Sequence, residues 1–164
     1  MTAKKSKLSH VDERGAARMV DVGEKAATRR SAVAAGSIRM QRSTLDAIRQ
    51  NNLEKGDVLT VARIAGINAG KRTSEWIPLC HPLQIDSLDV SLTLDNDLPG
   101  VRVQAQAGLT GRTGVEMEAL VAVSAALLTV YDMCKGLDRG MEIEAIQLLE
   151  KVGGSTGTWR RREA

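Results

Sequence analysis

The chain has 164 residues, of which 43% are hydrophobic, so it is long enough to bury the core of one domain. Its 23 Lys and Arg residues exceed its 20 Asp and Glu residues by a net charge of +3, which is too small to indicate DNA or membrane binding by itself. Phe is absent and aromatic residues make up 2% of the chain, which removes the stacking surface that RNA-binding modules need, so neither nucleic acid nor membrane is expected as a partner.

The N-terminal part of the chain divides into a tail, a strand and two helices. Residues 1–22 are rich in Lys, Gly and Ala and show little apolar periodicity, so we expect a largely mobile tail. Apolar and polar residues alternate over residues 28–40, which predicts a first strand. Ser43 is expected to cap a short helix over residues 43–51, and Asp57 to cap a second helix that runs to about residue 69.

Two candidate binding features follow the second helix. Residues 70–73, Gly-Lys-Arg-Thr, are not a phosphate-binding loop, because Ala65 occupies the position of the first glycine and the segment follows a helix instead of preceding one. In residues 76–83, two prolines bracket Cys80 and His81 and hold the backbone extended, so a defined loop is expected. This loop could aim His81 at a substrate as a proton-transfer group or phosphate donor, while a purely structural histidine is the alternative.

A hairpin and a final strand complete the predicted sheet. Residues 88–94 and 101–107 alternate between apolar and polar on either side of a turn at residues 96–100, which is the clearest strand signal in the chain. A weaker final strand is predicted at residues 143–149. The order of strand, two helices, hairpin, long helix and strand predicts an α+β, ferredoxin-like fold, in which helices pack on one face of an antiparallel four-stranded sheet.

The longest apolar run, residues 119–130, predicts a central helix between the hairpin and the final strand. Thr113 and Glu116 have the spacing of a capping box at its start, and Gly136 stands where a left-handed C-cap belongs. The run is apolar on every side, so we expect the helix to be covered on more than one face, by the sheet and by another subunit. We expect it to be too short to span a bilayer.

The charges at the two ends of this helix are candidates for function. Asp132 lies at the negative end of the helix dipole, which favours Lys135 but not an acidic residue. The simpler alternatives are an Asp132 to Lys135 surface ion pair, and a Glu116 that only closes the capping box. Glu118 and Asp132 would lie roughly 20 Å apart along one helix, so both could serve one small reacting centre only across two subunits.

Cysteine usage and metal-ligand spacing argue against a disulfide and a metal centre. The two cysteines, Cys80 and Cys134, have no CxxC spacing, and no signal-peptide pattern is present, so we expect free thiols and a cytoplasmic location. Zinc needs three or four ligands, whereas Cys80 is adjacent to His81 and Cys134 is isolated, so no metal is expected. Basic residues at loops and helix ends could instead converge on phosphates, and the glycines of residues 153–157 could bind an anion through their backbone.

Four segments carry a resemblance to a known family: residues 71–73, 77–83, 109–120 and 130–135. They closely resemble the MoaC family, the cyclic pyranopterin monophosphate synthases of molybdenum cofactor biosynthesis. The resemblance implies that 3′,8-cyclo-7,8-dihydro-GTP is rearranged to cyclic pyranopterin phosphate with release of diphosphate, without a redox cofactor. It also implies a homohexamer, built as a trimer of dimers, with active sites at the dimer interfaces.

The part of the chain that the resemblance covers implies where the catalytic domain begins and ends. It covers about residues 19–157 and implies a single MoaC-like catalytic domain at residues 23–158, followed by a basic C-terminal tail at residues 159–164. One departure concerns residues 153–157, where Ser155 replaces the lysine that is usual in the family, which places a phosphate role of this segment in doubt.

The resemblance also assigns roles to individual residues. It implies three catalytic residues, Lys55, Asp132 and Lys135. It implies substrate-binding residues in three groups, which are the loop residues Leu79, Cys80 and His81, the ring-contacting residues Glu116, Met117 and Glu118, and the phosphate-binding residues Arg30, Lys71 and Lys151.

Two other classes of protein compete with this interpretation. A non-catalytic nucleotide-binding or regulatory module of the same fold would need the basic loops but not Asp132. An RNA-binding module would lack stacking aromatic residues and would show a steep salt dependence of RNA affinity.

Overall fold

The structure is a computed structural model that describes residues 15–155 and 157–162, so the first 14 residues of the expected tail lie outside the described part. The elements are, in chain order, β1 (Thr28–Arg39), α1 (Arg42–Arg49), α2 (Val58–Gly70), α3 (Thr73–Trp76), β2 (Ser87–Asp95), β3 (Gly100–Gly111), α4 (Glu116–Cys134), β4 (Glu142–Val152) and β5 (Trp159–Arg160). The predicted strands and the predicted long helix all form.

The sheet has the order β2-β3-β1-β4-β5, and all neighbouring strands are antiparallel. β1 lies inside it, where Ala34 pairs with Ala105 of β3 and with Leu148 of β4. Ala34 and Ala105 are 0% exposed, because they lie on the face that the helices cover. The predicted α+β, ferredoxin-like fold is therefore confirmed. The short β5 extends it, since Trp159 and Arg160 of the expected basic tail pair with β4 as an edge strand.

α2 and α4 pack closely because glycines of α2 face α4. A Cβ atom on Gly66 would lie 2.8 Å from the carbonyl oxygen of Ala122, and a Cβ atom on Gly70 would lie 3.0 Å from the carbonyl oxygen of Glu118. Gly66 thus lies beside the middle of α4 and Gly70 beside its start, so the two helices run antiparallel. The end of α2 is next to the start of α4, and the segment before α2 approaches the end of α4.

α4 is the core helix of the domain. It has 19 residues and a mean hydropathy of 1.5, so by length and composition it could cross a membrane, and the expectation that it is too short is wrong. Its burial assigns it to the core instead, since Val123 and Leu127 are 0% exposed and the helix packs against β1, β3 and β4. α2 covers a second face of α4, so the expected cover on more than one face is confirmed, while cover by another subunit stays a prediction and Leu128 is 52% exposed.

The predicted start of α2 is confirmed, whereas that of α1 is wrong. Asp57 is the N-cap of α2 and accepts the backbone N–H of Thr60 at 3.0 Å. α1 begins at Arg42, so Ser43 lies inside the helix, and Gln41 is the N-cap without a side-chain cap of its own. A carboxylate from a distant turn holds this helix start, as described below.

Both predicted caps of α4 are wrong. α4 begins at Glu116 with Val115 as the N-cap, so Glu116 occupies the first helical position, too early to close a capping box with Thr113. Lys135 is the C-cap and has right-handed backbone angles. Gly136 is not among the described glycines with positive φ, so it does not form the expected left-handed cap.

Candidate functional site

Three charged side chains meet at the C-terminal end of α4. The Lys55 ammonium donates to Asp132 Oδ2 at 2.8 Å and to the Asp132 carbonyl oxygen at 2.9 Å, and the Lys135 ammonium lies 2.7 Å from Asp132 Oδ1. We call Lys55, Asp132 and Lys135 the lysine–aspartate cluster. Hydrogen bonds from Lys135 and Lys55, together with their charges, lower the pKa of Asp132 to about 2. Asp132 is therefore ionised at neutral pH.

The cluster bears on both alternatives for Asp132, a functional carboxylate and a surface ion pair. An ion pair between Asp132 and Lys135 is present, as the simpler interpretation expected. Lys55, however, comes from a segment 77 positions away in the sequence, so the cluster is a tertiary arrangement and not only a local helix pair. All three side chains are about half exposed, at 50%, 56% and 52%, so they are accessible to a substrate. Two lysines and one carboxylate leave one excess positive charge, which suits an anionic ligand.

The other end of α4 buries a carboxylate. Glu118 is 3% exposed, and burial raises its pKa from 4.5 to about 7, with a smaller contribution from the neighbouring Glu116 carboxylate. A group that titrates near neutral pH can both accept and donate a proton, which is the property of a general acid or base. Met117 lies between the two glutamates and is partly buried. We call residues 116–118 the glutamate end of α4.

The loop that contains Cys80 and His81 lies beside this glutamate end. Burial raises the pKa of the Cys80 thiol, and the Glu118 carboxylate raises it further, which places Cys80 within electrostatic reach of Glu118. The backbone N–H of Cys80 donates to the Ile77 carbonyl oxygen at 3.0 Å, so the turn after α3 fixes the loop, and Leu79 and His81 on either side are partly buried. Cys80 stays a neutral thiol at neutral pH, which suits lining a binding site more than nucleophilic attack.

Arg30 and Lys151 approach one another at the same end of the sheet. Arg30 Nε donates to the Gly111 carbonyl oxygen at 2.9 Å, and Lys151 Nζ donates to the Gly153 carbonyl oxygen at 3.3 Å. A Cβ atom on Gly154 would lie 2.5 Å from Arg30 Nη1, so the glycine leaves room for the guanidinium. β3 ends at Gly111, shortly before α4 begins, so both basic residues belong to the side of the molecule that holds the glutamate end.

The predicted site residues thus fall into two groups at opposite ends of α4. Lys71 caps α2 next to Gly70, which faces Glu118, so Lys71 joins the glutamate end with its side chain exposed. Lys55, Asp132 and Lys135 form the other group. At about 1.5 Å per residue, Glu118 and Asp132 are roughly 20 Å apart along the helix axis.

A groove of about 510 Å³ beside Asp132 was not predicted from the sequence. It lies between α2, α3 and α4, and its lining includes Arg72, Trp76 and Leu128. Trp76 and Leu128, which are 48% and 52% exposed, give the groove an apolar part of its wall. The only hint of this groove in the sequence is that α4 is apolar on every side. Which side of α4 stays open depends on how α2 and α3 pack, and the sequence pattern does not show that.

Cofactor and metal chemistry has few candidate ligands among the described residues. In residues 15–155 and 157–162, no three His, Cys, Asp or Glu side chains converge in a way that could hold a metal ion. Cys80 and Cys134 are free thiols, and burial, followed by the Asp138 carboxylate, raises the pKa of Cys134 to about 11.

The matches to known proteins include all of the candidate site residues described above. Residues 19–154 match the model of the MoaC family. The chain is 61% identical over 156 residues to a cyclic pyranopterin monophosphate synthase from Novosphingobium aromaticivorans, which covers 95% of this chain and 98% of the relative. Proteins of the same name from Brucella ovis and Brucella melitensis are 56% identical over 153 residues, or 93% of each chain. The similarity spans every candidate site residue, from Arg30 to Lys151.

Proposed function

The chain belongs to the MoaC family and has its activity, cyclic pyranopterin monophosphate synthesis in molybdenum cofactor biosynthesis, and from this premise we propose how its residues carry out the reaction. The substrate is 3′,8-cyclo-7,8-dihydro-GTP, and the products are cyclic pyranopterin phosphate and diphosphate. The reaction needs cations for a triphosphate, and proton donors and acceptors for a ring rearrangement.

The lysine–aspartate cluster is the observation that carries this proposal. Lys55 and Lys135 are both held on Asp132, so their ammonium groups are oriented before the substrate arrives. Closure of the cyclic phosphate breaks a phosphorus–oxygen bond and places negative charge on the departing diphosphate. Ammonium groups fixed at this point stabilise that charge and can supply a proton. The ionised Asp132 keeps both lysines in place and can accept a proton only weakly, because its pKa is about 2.

The glutamate end of α4 supplies the second half of the chemistry. Arg30, Lys71 and Lys151 provide the cations for the substrate phosphates, and Cys80 and His81 line the loop beside them. Glu118 provides the acid and base for the ring rearrangement, because its pKa of about 7 leaves comparable amounts of both protonation states at neutral pH. Neither a metal nor a cofactor takes part in this scheme.

Each active site is shared between two chains of a homohexamer. The two groups of residues are roughly 20 Å apart on one helix, so one substrate reaches both only if a second subunit supplies one of them. The exposed Trp76 and Leu128 beside Asp132 support a subunit contact at that end. The enzyme works in the cytoplasm as a trimer of dimers, with residues 23–158 as the catalytic domain and without membrane or nucleic acid as a partner.

The test is turnover by the purified full chain. Incubation with 3′,8-cyclo-7,8-dihydro-GTP should yield cyclic pyranopterin phosphate and an equal amount of diphosphate, and Asp132→Asn should yield neither above background. A folded wild-type chain that binds the nucleotide without releasing diphosphate would instead identify the non-catalytic nucleotide-binding module.

A further inference from the structure

The turn that follows α4 contains a buried carboxylate that the proposed reaction does not use. Asp138 is 3% exposed. Its carboxylate accepts the backbone N–H of Gln41 at 2.8 Å, the backbone N–H of Gly140 at 2.9 Å and the side-chain amide of Gln41 at 3.4 Å. A buried carboxylate is tolerated where such hydrogen bonds replace its hydration. Asp138 therefore joins its own turn to the start of α1.

On one side, Asp138 belongs to the segment that carries Lys135. The Asp138 backbone N–H donates to the Cys134 carbonyl oxygen at 3.1 Å, and the Tyr131 hydroxyl donates to the Arg139 carbonyl oxygen at 3.1 Å. Lys135 is the residue through which α4 enters this turn. The position of the turn therefore sets where the Lys135 side chain leaves the helix.

On the other side, Asp138 holds the segment that leads to Lys55. Gln41 is the N-cap of α1, which ends at Arg49, and residues 50–57 connect α1 to α2. Lys55 lies in that connection, and its ammonium contacts Asp132. The two lysines thus come from different parts of the chain. Asp138 links the turn after α4, next to Lys135, to the start of α1, which leads to Lys55.

We propose that Asp138 is a positioning residue for this reaction, because it holds the turn after α4 against the start of α1 and so sets how Lys55 and Lys135 meet Asp132. The inference rests on the proposed function of the lysine–aspartate cluster. Half-exposed ion pairs are weakly held by themselves, so their geometry depends on the backbone beneath them. A displacement of about 1 Å in a reacting group can cost about 100-fold in rate.

The first test does not need the substrate. Asp138→Asn keeps the size of the side chain but turns an N–H donor towards peptide N–H groups, so the junction should loosen. The Asp132 carboxyl, followed by ¹³C NMR in the full-length protein, should then titrate at a higher pH than in the wild type, because its lysine partners are less well placed. Unfolded molecules also give a carboxyl signal, with an ordinary Asp pKa of about 3.9, so the Asp132 titration is read only at pH values where circular dichroism shows the variant to be folded.

Asp95 offers a matched control. Its carboxylate also fixes a turn, by accepting the backbone N–H groups of Asp97 at 2.8 Å and Leu98 at 3.0 Å. Asp95→Asn should lower stability but leave both the Asp132 titration and the turnover rate of the folded enzyme unchanged. In Asp138→Asn, kcat should fall about 10- to 100-fold while KM changes less than about threefold.

The outcomes separate positioning from a structural role. If Asp138→Asn folds and matches Asp95→Asn in both the Asp132 titration and kcat, the proposal is overturned. A raised Asp132 pKa with a wild-type kcat would confirm the positioning and overturn the catalytic role of the cluster. If Asp138→Asn does not fold, Tyr131→Phe decides by the Asp132 titration, since it removes one hydroxyl that anchors the same turn. A higher titration pH in Tyr131→Phe supports the proposal, and an unchanged one overturns it.

Discussion

The Lys55 ammonium lies 2.8 Å from Asp132 Oδ2, although the two residues are 77 positions apart in the sequence. This contact joins the connection before α2 to the last turn of α4, where the helix dipole disfavours a carboxylate. Lys135 contacts the other carboxylate oxygen, so two cations compensate one unfavourably placed anion. The arrangement explains how Asp132 can stay ionised at the negative end of a helix.

Catalysis should depend on this cluster far more than folding does. Asp132→Asn and Lys135→Ala should each lower kcat by about 100-fold or more, because they remove an oriented charge or proton donor from the reacting groups. Circular dichroism and thermal melts should change little, since the side chains are half exposed. Asp89→Asn, which breaks the exposed Arg63 to Asp89 pair, is the matched control. If both cluster variants fold and turn over substrate at nearly the wild-type rate, the cluster is only a surface ion pair and has no catalytic role.

The buried Glu118 should make stability depend on pH. Its pKa is raised from 4.5 to about 7, so between these values the folded chain holds more proton at this carboxyl than the unfolded chain. The free energy of unfolding therefore falls as pH rises through this window, and the loss persists above it. Glu118→Gln should flatten this dependence in urea unfolding at one protein concentration, whereas Glu75→Gln, at an exposed carboxylate, should follow the wild type. Parallel curves for wild type and Glu118→Gln would contradict the buried, titrating carboxylate.

The packing of Arg30 can be tested through a pair of glycines. Gly154 and Gly157 both have positive φ, so alanine strains the backbone at either position. Only at Gly154 would the new Cβ atom approach Arg30 Nη1, at 2.5 Å, whereas nothing lies within 4 Å at Gly157. Gly154→Ala should therefore raise KM about tenfold with a smaller effect on kcat, and Gly157→Ala should not. If the two variants have equal KM and kcat values, Arg30 does not contribute to substrate binding.

Local sequence patterns predicted the strands and the start of α2. Alternation in residues 101–107 corresponds to the exposed and buried positions of β3, and the Asp57 cap is a contact between near neighbours in sequence. The start of α1 could not be predicted in this way, because the group that holds Gln41 is Asp138, 97 positions further along the chain. Local capping rules fail where a distant carboxylate replaces the local one.

The sequence named candidate site residues, whose roles stay predictions, but it could not give their geometry. Glu118 looks like an ordinary acidic residue in the first turn of a helix, which usually points to solvent. Its burial depends on how α2 and the loop at Cys80 pack against α4, and Gly70 permits that approach. The Asp132 to Lys135 pair follows from their spacing of three residues, whereas the contact of Lys55 with Asp132 is a tertiary contact that no spacing in the sequence encodes.

Turnover should survive removal of divalent metal ions. Arg30, Lys71 and Lys151 provide the phosphate-binding charges in the proposed site, and among the described residues no group of three potential metal ligands converges. The initial rate in EDTA should therefore stay within about twofold of the untreated rate, since the protein cations do not depend on a metal. A loss of rate that added Mg²⁺ or Zn²⁺ restores would show that a metal ion acts, with the substrate triphosphate as its most suitable ligand.

If the active site is shared between two chains, as proposed, two inactive variants should rescue one another. Glu118→Ala removes a residue of the glutamate end, and Lys135→Ala removes one of the lysine–aspartate cluster at the other end of α4. In a mixed dimer with two-fold symmetry, one site collects both defects and the other receives neither. Random mixing should then restore about one quarter of the wild-type sites, because half of the dimers are mixed and each has one intact site.

The control for this complementation uses two variants from the same end of α4. Asp132→Asn and Lys135→Ala both damage the lysine–aspartate cluster, so a mixed dimer of these two contains one defect in each site and should stay inactive. Both mixtures should be unfolded, refolded together and checked for mixed oligomers by native mass spectrometry before initial rates are compared. Recovery with Glu118→Ala and Lys135→Ala but not with the control pair is expected, since roughly 20 Å of helix separates Glu118 from the cluster within one chain. Mixed oligomers without activity above either parent would show that one chain supplies both residues, or that they serve different sites.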